Sequence, residues 1–186
     1  DYQGMMDLVE DMMKTVTMNV CGTLQIPYQG KEIELNEAGR FYFTEELEVG
    51  VNTFKFQNKA KVITYKITRT VKVLKDVAPT DATMRVEEQS TIALSAIAYR
   101  GSSVSAKING KSITLTEVES QLDELDPNSN YTKYVGYYTA PQGKRGEDID
   151  LGSIEFFGTY ETRTGDFNET RTGAHVIVNA LAEVAN

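Results

Sequence analysis

A chain of 186 residues, 40% apolar and 25% charged, has the make-up of a folded protein and length enough for one or two cores. Its 27 acidic residues outweigh 19 basic ones, and a net charge of −8 repels phosphate backbones and anionic lipid, so neither nucleic acid nor a membrane surface is expected as a partner. No apolar run reaches the roughly 20 residues needed to span a bilayer.

The sequence opens at Asp1 with no signal peptide, as expected of an intracellular chain or an excised fragment. Met5, Leu8, Val9, Met12 and Met13 follow helical spacing, so residues 1–14 are expected as a short helix or an ordered tail. The single cysteine, Cys21, permits no intrachain disulfide, and tryptophan is absent, so stability must come from packing of Tyr, Phe and aliphatic side chains.

The stretch "QIPYQGKEIEL" predicts a hairpin turning at Gln29-Gly30, with Tyr28 facing Lys31, Ile26 facing Ile33 and Leu24 facing Leu35. Pro27 lacks an N–H donor and places its strand at an edge or bulge. Phe41 and Phe43 alternate next, then Leu47, Val49 and Val51, before the parity changes at Asn52 to Phe54 and Phe56. "ITYKITRTVKV" alternates as a half-buried antiparallel strand, with Ile63, Tyr65, Ile67, Val71 and Val73 on one face. "KDVAPTDAT" (75–83) combines proline and turn formers and reads as a linker.

Beyond it, "AKINGKSITL" repeats the first hairpin. A type I′ turn at Asn109-Gly110 sets Ile108 against Lys111, Ala106 against Ile113 and Val104 against Leu115, each position 80 residues after its counterpart. One module used twice is the expected organisation, as residues 15–76 and 77–186. The second copy has strands near 92–98, 104–108, 154–160 and 175–178, a long insertion at 117–153, and "ETRTGDFNETRTG" as a hairpin loop.

The first copy resembles a bacterial immunoglobulin-like module. The resemblance rests on Gly22, Gly30-Lys31, Gly39 with Phe41, and Leu47, Gly50 and Asn52, over about residues 15–75; the second copy carries its first half, through "SAKINGKSITL". It implies an all-β chain of two immunoglobulin-like β-sandwiches in tandem. Such tandems are similar to accessory regions of secreted cell-wall N-acetylmuramoyl-L-alanine amidases of Firmicutes. By that resemblance the chain is extracellular or at the cell surface, with a cell-wall polymer or a neighbouring domain as its partner. Sandwich modules attach to many proteins, so the resemblance speaks to fold more than to activity.

Candidate chemistry is sparse. Cys21 lies in a strand-like run rather than an electropositive site, which disfavours a nucleophilic pair with His175, the one histidine. One histidine cannot furnish a hydrolytic zinc centre, and no metal or other cofactor is expected. Glu117, Glu119, Asp123 and Glu124 could supply paired carboxylates, but loop acids are usually solvated. Asp126, Asn128 and Asn130 alternate as in calcium loops, yet Tyr131 and Tyr137 stand where such a loop needs glycine and glutamate. Asn130-Tyr-Thr and Asn168-Glu-Thr match glycosylation sequons.

Tyr131, Tyr134, Tyr137 and Tyr138 are the candidate ligand-binding residues, as an aromatic platform for a sugar or peptide; cross-strand packing is the competing reading. The chain is therefore expected to be non-catalytic. It either spaces and anchors a neighbouring domain or binds a wall polymer or protein through the tyrosine-rich insertion.

Overall fold

A computed structural model describes residues 15–21, 26–28, 31–33, 40–58, 61–118 and 130–183; every described element is a strand. The helix-or-tail expectation for 1–14 lies outside these residues. Two compact units result: Asp1–Val71 with Thr162–Gly165, and Lys72–Glu161 with Asp166–Asn186.

The first unit contains β1 (Thr15–Cys21), β2 (Ile26–Tyr28), β3 (Lys31–Ile33), β4 (Arg40–Glu46), β5 (Gly50–Asn58) and β6 (Lys61–Arg69). They form three antiparallel pairs, β1–β4, β2–β3 and β5–β6. Ile26 faces Ile33 and Tyr28 faces Lys31, the register predicted for the first hairpin; Leu24 and Leu35 lie outside the described residues.

The parity change at Asn52 has a physical cause. Gly50 takes φ +107°, a conformation that favours glycine. Asn52 turns inward and is buried, where its amide donates to the carbonyls of Glu48 (2.8 Å), Gly50 (3.2 Å) and Ile67 (3.2 Å) while its oxygen accepts from Glu48 N–H at 2.9 Å. A polar side chain thus replaces a core apolar one and clamps the turn. Phe54, two residues on, and Ile67, the cross-strand partner of Asn52, are both buried.

The second unit contains β7 (Leu74–Ala78), β8 (Met84–Val86), β9 (Thr91–Tyr99), β10 (Ser103–Ile108), β11 (Lys111–Glu117), β12 (Tyr131–Thr139), β13 (Ile149–Thr162) and β14 (Gly165–Val178). Their order is β7-β9-β12-β11-β10-β13-β14-β8. The pairing of β11 changes along its length, from β10 at residues 111–115 to β12 at Thr116 and Glu117, so one strand links the two halves of the order. The entering chain is divided in the same way. β7 lies antiparallel to β9, and after the cis Ala78-Pro79 bond β8 lies parallel to β14. This arrangement is an immunoglobulin-like β-sandwich.

The second hairpin has the predicted register throughout, and Asn109 and Gly110 take φ of 48° and 78° at its turn. Two expectations are corrected. The stretch 75–83 is no plain linker, because it holds most of β7 and the approach to β8. Residues 131–139 of the expected insertion are a strand of the sandwich, because β12 pairs with β9 along nine residue pairs, Tyr131↔Tyr99 to Thr139↔Thr91.

The presumed loop "ETRTGDFNETRTG" is also mostly strand, continuing β13 and β14 around a turn at residues 163–164. Period-two reading failed there because each strand changes parity at a glycine. Leu151 and Ile154 both face inward across Gly152, at φ +76°. On β14 the exposed Thr172 and buried Ala174 flank Gly173, where a Cβ would meet Phe156 at 2.7 Å and the Pro79 carbonyl at 2.8 Å.

Size complementarity fills the core. Phe156 faces Ala106, Val104 faces Gly158, Leu74 faces Ala98 and Leu94 faces Gly136. Phe156 is fully buried, so Phe156→Ala should lower unfolding free energy by about 3–5 kcal/mol in a denaturant titration, with an unchanged m-value.

Candidate functional site

β12 carries the four candidate tyrosines, and strand geometry divides them between its faces. Tyr134 and Tyr138 point into the core, both buried, with Thr132 and Gly136 on the same side. Tyr131 and Tyr137 point outward, and Tyr137 is 66% exposed. The four therefore form no common platform. Their spacing of three, three and one mixes both parities, a signal already present in the sequence.

Tyr131 belongs to an aromatic cluster at the start of β12. Its ring meets Tyr99 edge-on with centroids 5.6 Å apart, and Tyr99 meets Tyr160 edge-on at 4.8 Å. The Lys75 ammonium stands 5.0 Å from the Tyr131 ring centre, within reach of a cation–π contact. Nearby, Arg100 pairs with Glu117 at 3.4 Å, and its N–H donates to the Asn130 carbonyl at 2.6 Å.

Tyr134 braces the β9–β10 corner, its hydroxyl donating to the Tyr99 carbonyl at 3.4 Å. Burial holds its pKa above the ordinary tyrosine value, reinforced by the Glu117 carboxylate and opposed by the Gly101 and Ser102 amides and Arg100.

Of the remaining candidates, Cys21 lies on β1, and His175 Nε2 contacts the Asp150 carboxylate at 2.6 Å. Glu119, Asp123, Glu124, Asp126 and Asn128 lie outside the described residues. Among the described residues no group of three or more His, Cys, Asp or Glu gathers as a metal site, and no helix is long and apolar enough to cross a membrane.

The opposite end of the sandwich is held by carboxylates. Asp148 accepts from Arg85 at 2.9 Å and from the Ala180 N–H at 2.8 Å, fixing residues that follow β14. Leu181 then exchanges backbone bonds with Lys144 (2.8 Å) and Gly146 (2.9 Å), and Glu88 accepts from the Gly143 N–H at 2.7 Å. The Arg85 hydrogen bond, aided by Ala180, lowers the Asp148 pKa. The Gly152 N–H, aided by His175, lowers that of Asp150.

No family model matches the chain. A lysine–tRNA ligase of Prochlorococcus marinus (strain MIT 9211) is 39% identical over 59 residues, 30% of this chain and 12% of that protein. One of Thermotoga maritima is 56% identical over 34 residues, 18% of this chain and 7% of that protein. The chain thus spans only about a tenth of these relatives' length, and no ligase activity is taken from them.

Among solved structures, a titin tandem of domains A164-A165 aligns over 93% of both chains at 13% identity and TM-score 0.31. Titin domains A168-A170 align over 91% of this chain and 63% of that one at 10% identity and TM-score 0.36. Likeness at this level carries no argument, and the sandwich assignment rests on strand order alone.

Two predictions follow from this geometry. Tyr134→Phe should cost about 1 kcal/mol of stability by removing a buried hydrogen bond, while Tyr137→Ala should stay within about 0.5 kcal/mol, both read from chemical denaturation. Depressed carboxylate pKa values favour the folded state above the unfolded value of about 4, an advantage lost as pH falls through the folded values. Wild-type stability should therefore fall as pH drops below about 4. An Asp148→Asn/Asp150→Asn double variant should show a shallower fall.

Proposed function

We propose that the chain is a non-catalytic tandem of immunoglobulin-like modules in a secreted or surface bacterial protein. It spaces or anchors a neighbouring domain, with that of a cell-wall amidase as the candidate suggested by sequence resemblance, and holds weak affinity for wall polymer. The observation that carries this reading is the repeated hairpin. Ile26↔Ile33 and Ala106↔Ile113 pair identically, 80 residues apart, as expected of one module used twice in series.

The chemistry of the second unit supports the same reading. Its interior is predominantly apolar from Leu74 to Val178, and among the described residues it buries no carboxylate, histidine or lysine that could exchange a proton with a substrate. The described ion pairs are exposed and far apart in sequence, as in a solvated surface.

A second reading, recognition of a protein partner through the tyrosine-rich strand, is favoured by the exposure of Tyr137 and by the outward placement of Tyr131. In that case Tyr137→Ala abolishes partner capture with an unchanged melting temperature, and Tyr134 and Tyr138 serve only packing.

The affinity for wall polymer is tested by sedimentation with purified peptidoglycan sacculi. The intact chain should co-sediment above an equally acidic control protein, and retention no greater than the control removes the affinity.

A further inference from the structure

The outward face of the sheet β11-β10-β13-β14 sets one aromatic ring among hydroxyl side chains. Its central row crosses four strands. Thr114 faces Ser105, Ser105 faces Phe157, and Thr170 lies beside Phe157. The last placement follows from two hydrogen bonds that flank it, Thr159 to Asn168 at 2.8 Å and Thr172 to Glu155 at 3.0 Å, both of which fit one β13–β14 register.

Phe157 is 37% exposed, and its cross-strand neighbours Ser105 and Thr170 are too short to cover it. A large apolar ring is thereby left standing among hydroxyls. Polar groups around it are held in place. Glu155 receives the Thr172 hydroxyl on both carboxylate oxygens, at 3.0 and 3.2 Å, and the Asn168 amide oxygen accepts from Thr159. By strand parity the face carries Lys107 directly across from Glu155, with Glu161 and Asp166 two rows beyond Phe157.

We propose that this face, centred on Phe157, binds an uncharged stretch of polysaccharide lying across the strands, and that it is the seat of the wall-polymer affinity proposed above, on which this inference rests. The match is chemical. A pyranose presents a C–H face that stacks on an aromatic ring and a rim of hydroxyls that pairs with short hydroxyl, amide and carboxylate groups. With carboxylates outnumbering ammonium groups on this face, a polyanion gains no electrostatic advantage there. Flat β-strand geometry places successive outward side chains about 7 Å apart along each strand, wide enough for adjacent sugar rings to meet adjacent rows.

The test is co-sedimentation of the intact chain with peptidoglycan sacculi over a concentration series, comparing wild type, Phe157→Ala, Ser105→Gln and Tyr137→Ala, each checked for an unchanged melting temperature. Loss of one aromatic stacking contact should weaken binding about tenfold in Phe157→Ala. Ser105→Gln, which sets a longer uncharged side chain beside the ring, should weaken it comparably and serves if Phe157→Ala fails to fold. Loss of retention in Tyr137→Ala with wild-type retention in Phe157→Ala seats the affinity on β12 and overturns the proposed face. Wild-type retention matched by Phe157→Ala and Ser105→Gln overturns the proposed face and leaves the affinity standing. Absence of wild-type retention overturns both.

Discussion

The second unit depends on size complementarity across its inward faces. Immunoglobulin-like sandwiches can pin their sheets with a disulfide and a buried tryptophan. This chain has one cysteine and no tryptophan, so the sheets meet through close packing alone. Within each sheet, large inward side chains sit beside small ones: Phe156 beside Ala106, Leu74 beside Ala98, Leu94 beside Gly136. Gly158 shows how tight the fit is, because a Cβ there would come within 2.8 Å of both Val73 and Leu74. Interiors packed this closely tolerate neither a lost ring nor an added methyl without adjustment. The placement of every outward side chain follows, since a strand whose inward residues are fixed has no freedom in what it shows to solvent.

That dependence explains which parts of the fold could be read from sequence. The hairpin at 104–115 was legible because Asn109-Gly110 fixes the turn, alternation fixes the face, and both signals are local. β7 and β8 were not legible. Pro79 and the polar residues around it resemble a linker, and what makes β8 a strand is a parallel partner nearly a hundred positions away, Val176 opposite Met84. β13 and β14 were shortened for a different reason. Their glycine-centred parity changes interrupt the alternation, and an outward face of Thr, Asn and Glu reads as a turn when its inward partners are not recognised.

The candidate site divides along the same line. Tyr131, Tyr134, Tyr137 and Tyr138 were identified as an aromatic concentration, which they are, but spacing of three along a strand sends consecutive rings to opposite sides. Half of the cluster is therefore core. Tyr134 spends its hydroxyl on the Tyr99 carbonyl at the β9–β10 corner, and only Tyr131 and Tyr137 remain for recognition. Phe157 was missed although its signal is short and clear. The doublet Phe156-Phe157 in a strand must put one ring inside and one outside, and the outside ring then asks what it meets.

Charge distribution gives that question its direction. The carboxylates of Glu87, Glu88 and Asp148 gather at one end, where they hold the residues after β14 and the β12–β13 connection in place. Any group replacing those contacts must first loosen the chain they secure. The four-stranded face sets hydroxyls around Phe157, with Lys107 directly across from Glu155. A single exposed aromatic on a protein surface is ordinary. What distinguishes this one is the company it keeps: short polar side chains, two of them ordered by hydrogen bonds. An uncharged, hydroxyl-rich ligand can exploit such a surface without displacing any contact on which the fold depends.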